Sequence, residues 1–423
     1  MNLDAVRAHA SPAQRIVIEH IAALARQRGQ RAFVVGGAVR DACLGRAIVD
    51  IDFAVEGDAV PFAQALAARA GGTLQVHPRF HTATWAIEGG RHDLASTRSE
   101  VYAQPAALPE VEIGVPIEID LRRRDISINA MALGVDGSAL LDPLGGLLDL
   151  RARQVRALHP ASFIDDPTRI LRAVRYAARF GFDIQPATRT WMTAGLPHLP
   201  ALSGERLKSD LEYVFAEETG GNALAALHED GFFRALGIPV PGAAQLRTRL
   251  DHVNDILADA VFPWDRLDLD QAEIRAAAGW GALTYNAGGF AIQRWCDRIP
   301  FTVPLREALV EAGPLSTLSG QLFGDAPASA RSALLRGFGG LALLLAWLFD
   351  PTPAKREAAR REWADWRRVR PITTGDDLRA AGLPPGPAYG RVLAALRDAW
   401  LDGRIDDATG ESVLLQKLLS SPR

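Results

Sequence analysis

The sequence predicts an α+β region over residues 1–150 followed by an all-α remainder. Three observations carry that expectation. Short apolar runs bounded by glycine and proline crowd the first 150 residues. From about residue 160 these fade, and apolar positions recur every three or four residues instead. At 423 residues the chain is too long for one core, so several packed units follow.

In order, PAQRIVIEHIAALARQRG (12–29) sets Ile16, Ile18, Ile21, Leu24 and Ala25 at helical spacing and stops at a glycine. RAFVV reads as a short buried strand, GGAVRDACLG as a glycine turn entering a helix, and VDIDFAVEG as an alternating strand. Residues 59–70 are helical by pattern, and TLQVHP, TATWAIEG and RHDLAST read as strands. Beyond them, 167–180, 204–216 and 222–236 are amphipathic helices, with plausible joints at the proline and glycine clusters near 236–242 and 351–353.

Composition narrows the class. A hydrophobic share of 48% with 23% charged residues describes a folded chain. The net charge of −3 excludes a uniformly basic coat but permits local basic faces. Cys43 and Cys296 form neither a disulfide framework nor a metal knuckle, which fits a reducing cytoplasm. The N-terminus carries charges of both signs before any apolar run, unlike a signal peptide, and the longest apolar run, 341–349, is far short of the ~20 residues of a membrane helix, so no membrane is expected. Basic side chains are nearly all arginine, with lysine only at 208, 355 and 417.

In VDIDFAV, Asp50 and Asp52 stand two apart on the expected strand, so both point to one face. Two adjacent carboxylates repel unless a cation lies between them, and hard oxygen ligands suit Mg²⁺ bridging to substrate phosphates. Solvent-facing acids on a half-buried strand are the plain alternative. Just upstream, Gly36 and Gly37 follow a strand and precede a helix, leaving bare amides where a phosphate would sit, with Arg40 one turn on to reach the same anion. In LRRRDISINAMAL (121–133), Arg122, Arg123 and Arg124 precede Asp125 and Asn129. Such a run entering an apolar stretch implies that one arginine lies near the core and needs an anion.

The helix in DDPTRILRAVRYAARFGF (165–182) starts at Pro167 behind Asp165 and Asp166 and stops at Gly181. Arg169, Arg172, Arg175 and Arg179 recur along one face, and residues 151–180 hold seven arginines against two aspartates. A solvated face usually mixes signs; this one points to an anion or a nucleic acid.

Together and in this order these segments resemble the class II tRNA nucleotidyltransferases, or CCA-adding enzymes, and the related bacterial poly(A) polymerases. The family's G-G-x-V-R-D appears as Gly36, Gly37, Val39, Arg40 and Asp41, its metal pair as Asp50 and Asp52, and its R-R-D as Arg123, Arg124 and Asp125. D-P-L-G-G falls on 142–146, and E-D-x-x-R on Asp165, Asp166 and Arg169 with later arginines at Arg172 and Arg175. GERLKSDLEYVF (204–215) resembles the E-R-x-x-x-E-L element, 374–403 resembles a C-terminal segment, and weaker similarity extends through 227–238; the resemblance does not place 240–370. Asp165 and Asp210 replace glutamates, Ile126 and Ser127 replace Phe-Thr, and His81 stands where glycine is common.

The resemblance implies a nucleotidyltransferase head (1–150), a base-reading neck (151–220), a body (221–350) and a tRNA-binding tail (351–423). It further implies template-independent addition of C, C and A to tRNA from CTP and ATP. Asp50 and Asp52 would bind Mg²⁺, with Asp93 as a third catalytic carboxylate. Gly36, Gly37, Arg40, Arg124, Asn129, Asp166, Arg169, Arg172 and Arg175 would bind nucleotide. The alternatives are a poly(A) polymerase, a CC-only or A-only enzyme, or an inert RNA-binding protein. Retention of both Asp50 and Asp52 speaks against the last. A poly(A) polymerase usually ends in a basic disordered tail, whereas residues 351–423 hold 13 basic against 10 acidic residues in a folded-looking pattern. The segment 99–121, rich in proline and small residues, resembles the family's flexible loop for switching from C to A.

Overall fold

A computed structural model describes residues 2–88, 90–257 and 262–420, and the chain divides into two compact units, Met1–Leu236 and Gly237–Arg423.

In the first unit, α1 (Leu3–His9) leads into α2 (Pro12–Arg28), which opens on a capping box between Ser11 and Gln14 and ends at Gly29 with φ +60°. Its buried face is Val17, Ile18, Ile21, Leu24 and Ala25; Ile16, expected on that face, is 39% exposed, because the buried stripe runs through the residue after it. Then come β1 (Ala32–Val35), α3 (Gly37–Cys43), β2 (Asp52–Val55), α4 (Ala59–Ala70), β3 (Thr73–His77), β4 (Thr82–Ile87) and β5 (Gly90–Ser96). A hairpin of β6 (Arg98–Val101) and β7 (Glu110–Ile113), helix α5 (Ile117–Arg122) and strand β8 (Ala132–Gly134) follow.

Six strands form one mixed sheet in the order β3-β4-β5-β2-β1-β8, parallel only between β2 and β5. Central β1 is buried throughout, and Phe33, Val35 and Ala54 pack with Ala132 against Ile117 and Leu121 of α5. That packing fixes the ends of β1 and β2, where the glycine turn and the acids lie. Two expectations change. The second strand begins only at Asp52, so Asp50 lies in the approach to it, although the expected alternation holds over 50–53, with Asp50 and Asp52 exposed and Ile51 and Phe53 buried. The segment 99–121 is a β-hairpin with a following helix rather than an irregular loop, since Arg98 to Val101 pair in register with Ile113 to Glu110.

The helical part of this unit comprises α6 (Gly146–Ala152), α7 (Ser162–Asp165), α8 (Thr168–Phe180), α9 (Pro186–Gly195), α10 (Gly204–Ala216), α11 (Gly220–Glu229) and α12 (Phe232–Leu236), with short parallel strands β9 (Gln154–Val155) and β10 (Asp183–Ile184). Helix α8 packs on α10 and α11 and ends at Gly181, φ +63°. Asp142 caps α6 by accepting from the amides of Gly146 (2.6 Å) and Leu147 (2.9 Å). A Cβ at Gly146 would lie 2.3 Å from the Ser127 carbonyl, which accounts for the glycine. His81 adopts φ +49°, the left-handed region that glycine enters without a steric cost.

In the second unit α13 (Ala243–Leu257), α14 (Gln271–Thr284), α15 (Gly289–Arg298), α16 (Val303–Thr317), α17 (Ala328–Leu335), α18 (Gly340–Phe349), α19 (Pro353–Ala364), α20 (Gly375–Ala380), α21 (Pro387–Leu401) and α22 (Ala408–Ser420) follow one another, with no strand among the described residues. The apolar run of the sequence is α18, buried against α14, α16 and α19. Gly281 permits close approach, since a Cβ would sit 2.4 Å from Leu345. Trp280 meets Trp295 and Phe301 edge-on at 5.3 and 4.9 Å. A buried ion pair, Lys355 to Asp350 at 2.8 Å, is completed by the Tyr285 hydroxyl donating to Asp350 and by Lys355 donating to the carbonyls of Ser316 and Leu318. No single described helix is long and apolar enough to cross a membrane.

Candidate active site

In the middle of the sheet Phe53 of β2 pairs in parallel with Leu94 of β5, so Asp52 and Asp93, one residue earlier on each strand, stand side by side. Asp93 accepts from the Thr84 hydroxyl at 2.6 Å. The Asp52 carboxyl is pushed up to about 6, first by loss of surrounding water and then by the charges of Asp93 and Asp50, with Arg124 pulling the other way. Three crowded carboxylates are the arrangement a cation relieves, and oxygen donors suit a hard one. Among the described residues no group of three or more His, Cys, Asp or Glu side chains is arranged to hold a metal by itself.

Next to Asp52, Gly36 turns the chain from β1 into α3 with φ +64°, and a Cβ there would lie 3.0 Å from Nη1 of Arg124. A larger residue would thus displace the arginine that faces the turn. Arg40, expected to reach the same anion, is held by partners from distant segments. It is 3% exposed, donates to Asn129 Oδ1 (2.6 Å) and Asp41 Oδ1 (2.9 Å), and lies over the rings of Tyr176 (5.1 Å) and Phe180 (4.8 Å). Its guanidinium also lies against the glycine turn, where a Cβ at Gly37 would meet Nη2 at 3.5 Å, so Arg40 braces the turn from behind. Burial of Val39 and Arg40 together on so short a helix carries the side chain inward.

The arginine run is held by one buried acid. Asp120, 1% exposed, accepts from Arg123 at 2.7 Å, from Arg124 at 3.2 Å and from the Arg98 amide at 3.1 Å. Burial would raise its pKa, but Arg123 and Arg124 bring it below the usual carboxylate range. Glu100 ties Arg98, Arg123 and Tyr102 together in the same way. Arg124 also donates to the Asn129 carbonyl at 3.3 Å, so the glycine turn, Arg124 and Asn129 form one assembly.

From α8, Arg169 donates to Ser162 Oγ (2.9 Å) and the Arg123 carbonyl (2.7 Å), which seats the helix on the arginine run. Arg172 donates to Asp125 at 2.8 Å, while Arg175 lies between the rings of Tyr176 and Tyr213 with Glu217 3.8 Å away. Asp166, just ahead of α8, accepts from Thr168 and Arg206. A cavity of about 480 Å³ gathers Gly36, Gly37, Asp52, Arg124, Asn129, Asp166, Arg169 and Arg172; Asp50, Asp93, Arg40 and Arg175 lie outside its lining.

The same cavity is lined by Glu100, Tyr102, Arg123, Tyr176, Arg206 and Asp210, none of which the sequence expectations placed in the site. Asp210 is pushed up to about 6 by burial, against the pull of Arg172. Its spacing of four from Arg206 is a signal for both, since i and i+4 share a helix face. Glu100 and Tyr102 arrive through hairpin pairing and had no local signal.

Comparison with known proteins gives this geometry a lineage. The family described as Poly A polymerase head domain matches residues 32–156. The A-adding tRNA nucleotidyltransferase of Geobacter sulfurreducens is 30% identical over 403 residues, 92% of this chain and 45% of that protein. The CC-adding tRNA nucleotidyltransferase of Deinococcus radiodurans is 33% identical over 396 residues, 92% of this chain and 89% of that one. A solved CCA-adding enzyme in an apo form superposes with TM-score 0.82 at 26% identity, covering 99% of this chain and 98% of its own. The chain spans about half, or less, of the length of the A-adding relatives it matches, at 45%, 19% and 53%. With identity to the Deinococcus protein running along nearly all of both chains, and the head-domain match falling on the sheet that carries the acids and the glycine turn, the chain belongs to the tRNA nucleotidyltransferase family.

Proposed function

We propose that the chain adds C, C and A to the 3′ end of tRNA from CTP and ATP without a nucleic-acid template, with Mg²⁺ as its metal. The observation that carries this reading is the one cavity in which Asp52, the Gly36–Gly37 turn, Arg124, Asp166 and Arg169 meet. The names of the relatives, A-adding and CC-adding tRNA nucleotidyltransferases, support tRNA as the acceptor. Enzymes of this family generally use divalent metals, and Asp50 and Asp52, with Asp93 beside them, are the residues that would hold the ion. The cytoplasm is the compartment this reading implies.

In the reaction the 3′-hydroxyl oxygen of the primer attacks the α-phosphorus of the nucleotide. The bond to the bridging oxygen breaks, pyrophosphate leaves and the hydroxyl proton passes to water. When bound, Mg²⁺ makes the hydroxyl more acidic and neutralises charge on the leaving pyrophosphate. Amides of the glycine turn and the guanidinium of Arg124 hold the triphosphate. Asn129, fixed by Arg40, faces the same cavity, and Arg172 and Arg175 keep the arginine face of α8 in place. Cytosine and adenine each present an amino donor beside a ring-nitrogen acceptor, whereas uracil and guanine present a carbonyl beside a ring N–H. Asp166 accepting and Arg169 donating therefore select C and A.

Extension assays on tRNA ending at the discriminator base, at −C and at −CC, with CTP or ATP, test the proposal. Addition of C, C and A in turn supports it. Growth that stops at −CC, or that begins only from −CC, assigns a partial enzyme instead, and long A tracts on any RNA assign a poly(A) polymerase.

A further inference from the structure

We infer that His92 is a positioning residue for the paired acids, its buried ring holding the Ile51 carbonyl when Asp50 closes on Asp52 around a divalent cation. The inference rests on the reading of Asp50 and Asp52 as the residues that hold the metal.

On β5 the side chain of His92 points away from that of Asp93, into the face shared by Phe53 and Leu94. The ring is 3% exposed, and its register partner on β4 is Trp85, also buried. Gly90 makes room for the ring, since a Cβ there would lie 2.9 Å from Nε2. In either protonation state an imidazole carries at least one N–H donor. Yet neither Nδ1 nor Nε2 of His92 finds a hydrogen-bond partner among the described residues.

The register that sets Phe53 beside Leu94 sets Ile51, two residues earlier, beside His92. Burial lowers the pKa of the ring, and the Ile51 backbone opposes it ahead of the charges of Asp50 and Asp93. Ile51 therefore acts on the ring without closing a hydrogen bond. Movement at this point is confined to a short stretch. Gln14 Nε2 donates to the carbonyls of Ile48 (3.2 Å) and Val49 (3.0 Å), which pins the approach, and the sheet holds the chain from Asp52 onward. Between these anchors Asp50 is exposed and lies outside the cavity that Asp52 lines. Bringing Asp50 to a shared cation turns the peptide units on either side of Ile51, directly beside the ring. An N–H buried without a partner costs free energy, and closure of Asp50 removes that cost by presenting the Ile51 carbonyl. A contact made in the closed arrangement and absent from the open one shifts the balance toward closure.

The test titrates Mn²⁺ alone into the nucleotide-free chain, read by loss of the free-ion EPR signal, and records melting midpoints in EDTA. Wild type is compared with His92→Leu, His92→Phe, His92→Gln and Asp52→Ala. His92→Leu is expected to weaken Mn²⁺ binding about fivefold, the contribution of one hydrogen bond, while its midpoint in EDTA stays at or above that of wild type because the unpaired donor is gone. The Mg²⁺ concentration for half-maximal C addition should rise by the same factor, with kcat at saturating Mg²⁺ within about twofold of wild type. His92→Gln, which restores a donor, should lie nearer wild type than His92→Leu does. A histidine that only filled the core would give the opposite pattern, a lowered midpoint with metal affinity unchanged. A midpoint in EDTA clearly below wild type, or Mn²⁺ affinity within about twofold of it, therefore refutes the positioning role. If Asp52→Ala leaves Mn²⁺ binding intact, the metal assignment itself fails. Should His92→Leu not fold, His92→Phe decides by the same criteria.

Discussion

Asp125→Asn removes one charge from the joint between the arginine run and α8. The carboxylate is 6% exposed and accepts from Arg172 Nε (2.8 Å), the Ile126 amide (2.8 Å) and Asn129 Nδ2 (3.4 Å). Burial by itself would raise its pKa; Arg172 and the Ile126 amide outweigh that and hold it down at about 2, against 3.8 in a free chain. That gap, at about 1.4 kcal/mol per pH unit, is worth roughly 2 kcal/mol, trimmed somewhat because Arg172 is itself 38% exposed. Because the folded pKa lies below the unfolded one, this contribution is fully present above 3.8 and disappears as pH falls toward 2. Denaturant titrations of wild type and variant should therefore differ by roughly 2 kcal/mol near pH 7 and converge as the solution is acidified below about pH 4. The same variant frees Arg172, so KM for CTP should rise at neutral pH. A difference that does not change with pH, or one below about 0.5 kcal/mol at neutrality, would refute the electrostatic account of this joint.

Asp50→Ala and Asp52→Ala should each abolish extension while leaving tRNA affinity in a filter-binding assay nearly unchanged; near-normal turnover in either would dismiss the metal assignment. Replacing 103–108 by a two-residue turn keeps β6 and β7 but removes the tip whose Ala106 amide donates to the carbonyls of Ile164 and Asp165, so C addition should survive and A addition on tRNA ending in CC should fall by tenfold or so; equal loss of both would separate the hairpin from base switching. In the second unit, Lys355→Met leaves Asp350 buried without its cation and should cost about 3–5 kcal/mol in a denaturant melt, whereas an undiminished midpoint would mean that Tyr285 alone sustains Asp350.

The order of elements from α2 to β5 was legible because local rules decide it: a capping serine and a terminal glycine bound α2, and apolar runs mark the central strands. The acids and the glycine turn could be found for the same reason, their chemistry being carried by residues a few positions apart. Arg40 could not be read correctly, since its partners Asn129, Tyr176 and Phe180 come from distant segments and only the fold brings them to α3. Nor could Asp120, whose burial under α5 turns an ordinary helical acid into the anchor for two arginines. The hairpin was missed because Ala-Pro-rich residues mask its pairing, which is made by backbone register and not by side-chain pattern.

The aromatic seat of Arg40 bears on how such enzymes can be recombined. A chimaera cut between the sheet and α8 would exchange the phosphate turn without Tyr176 and Phe180, or the reading helix without Arg40. Either graft would bury a guanidinium lacking its ring faces, or leave two rings, stacked within 2° of parallel, without the one guanidinium that lies over both. The seam that permits exchange therefore lies beyond α8, and the turn and the reading helix must be inherited together.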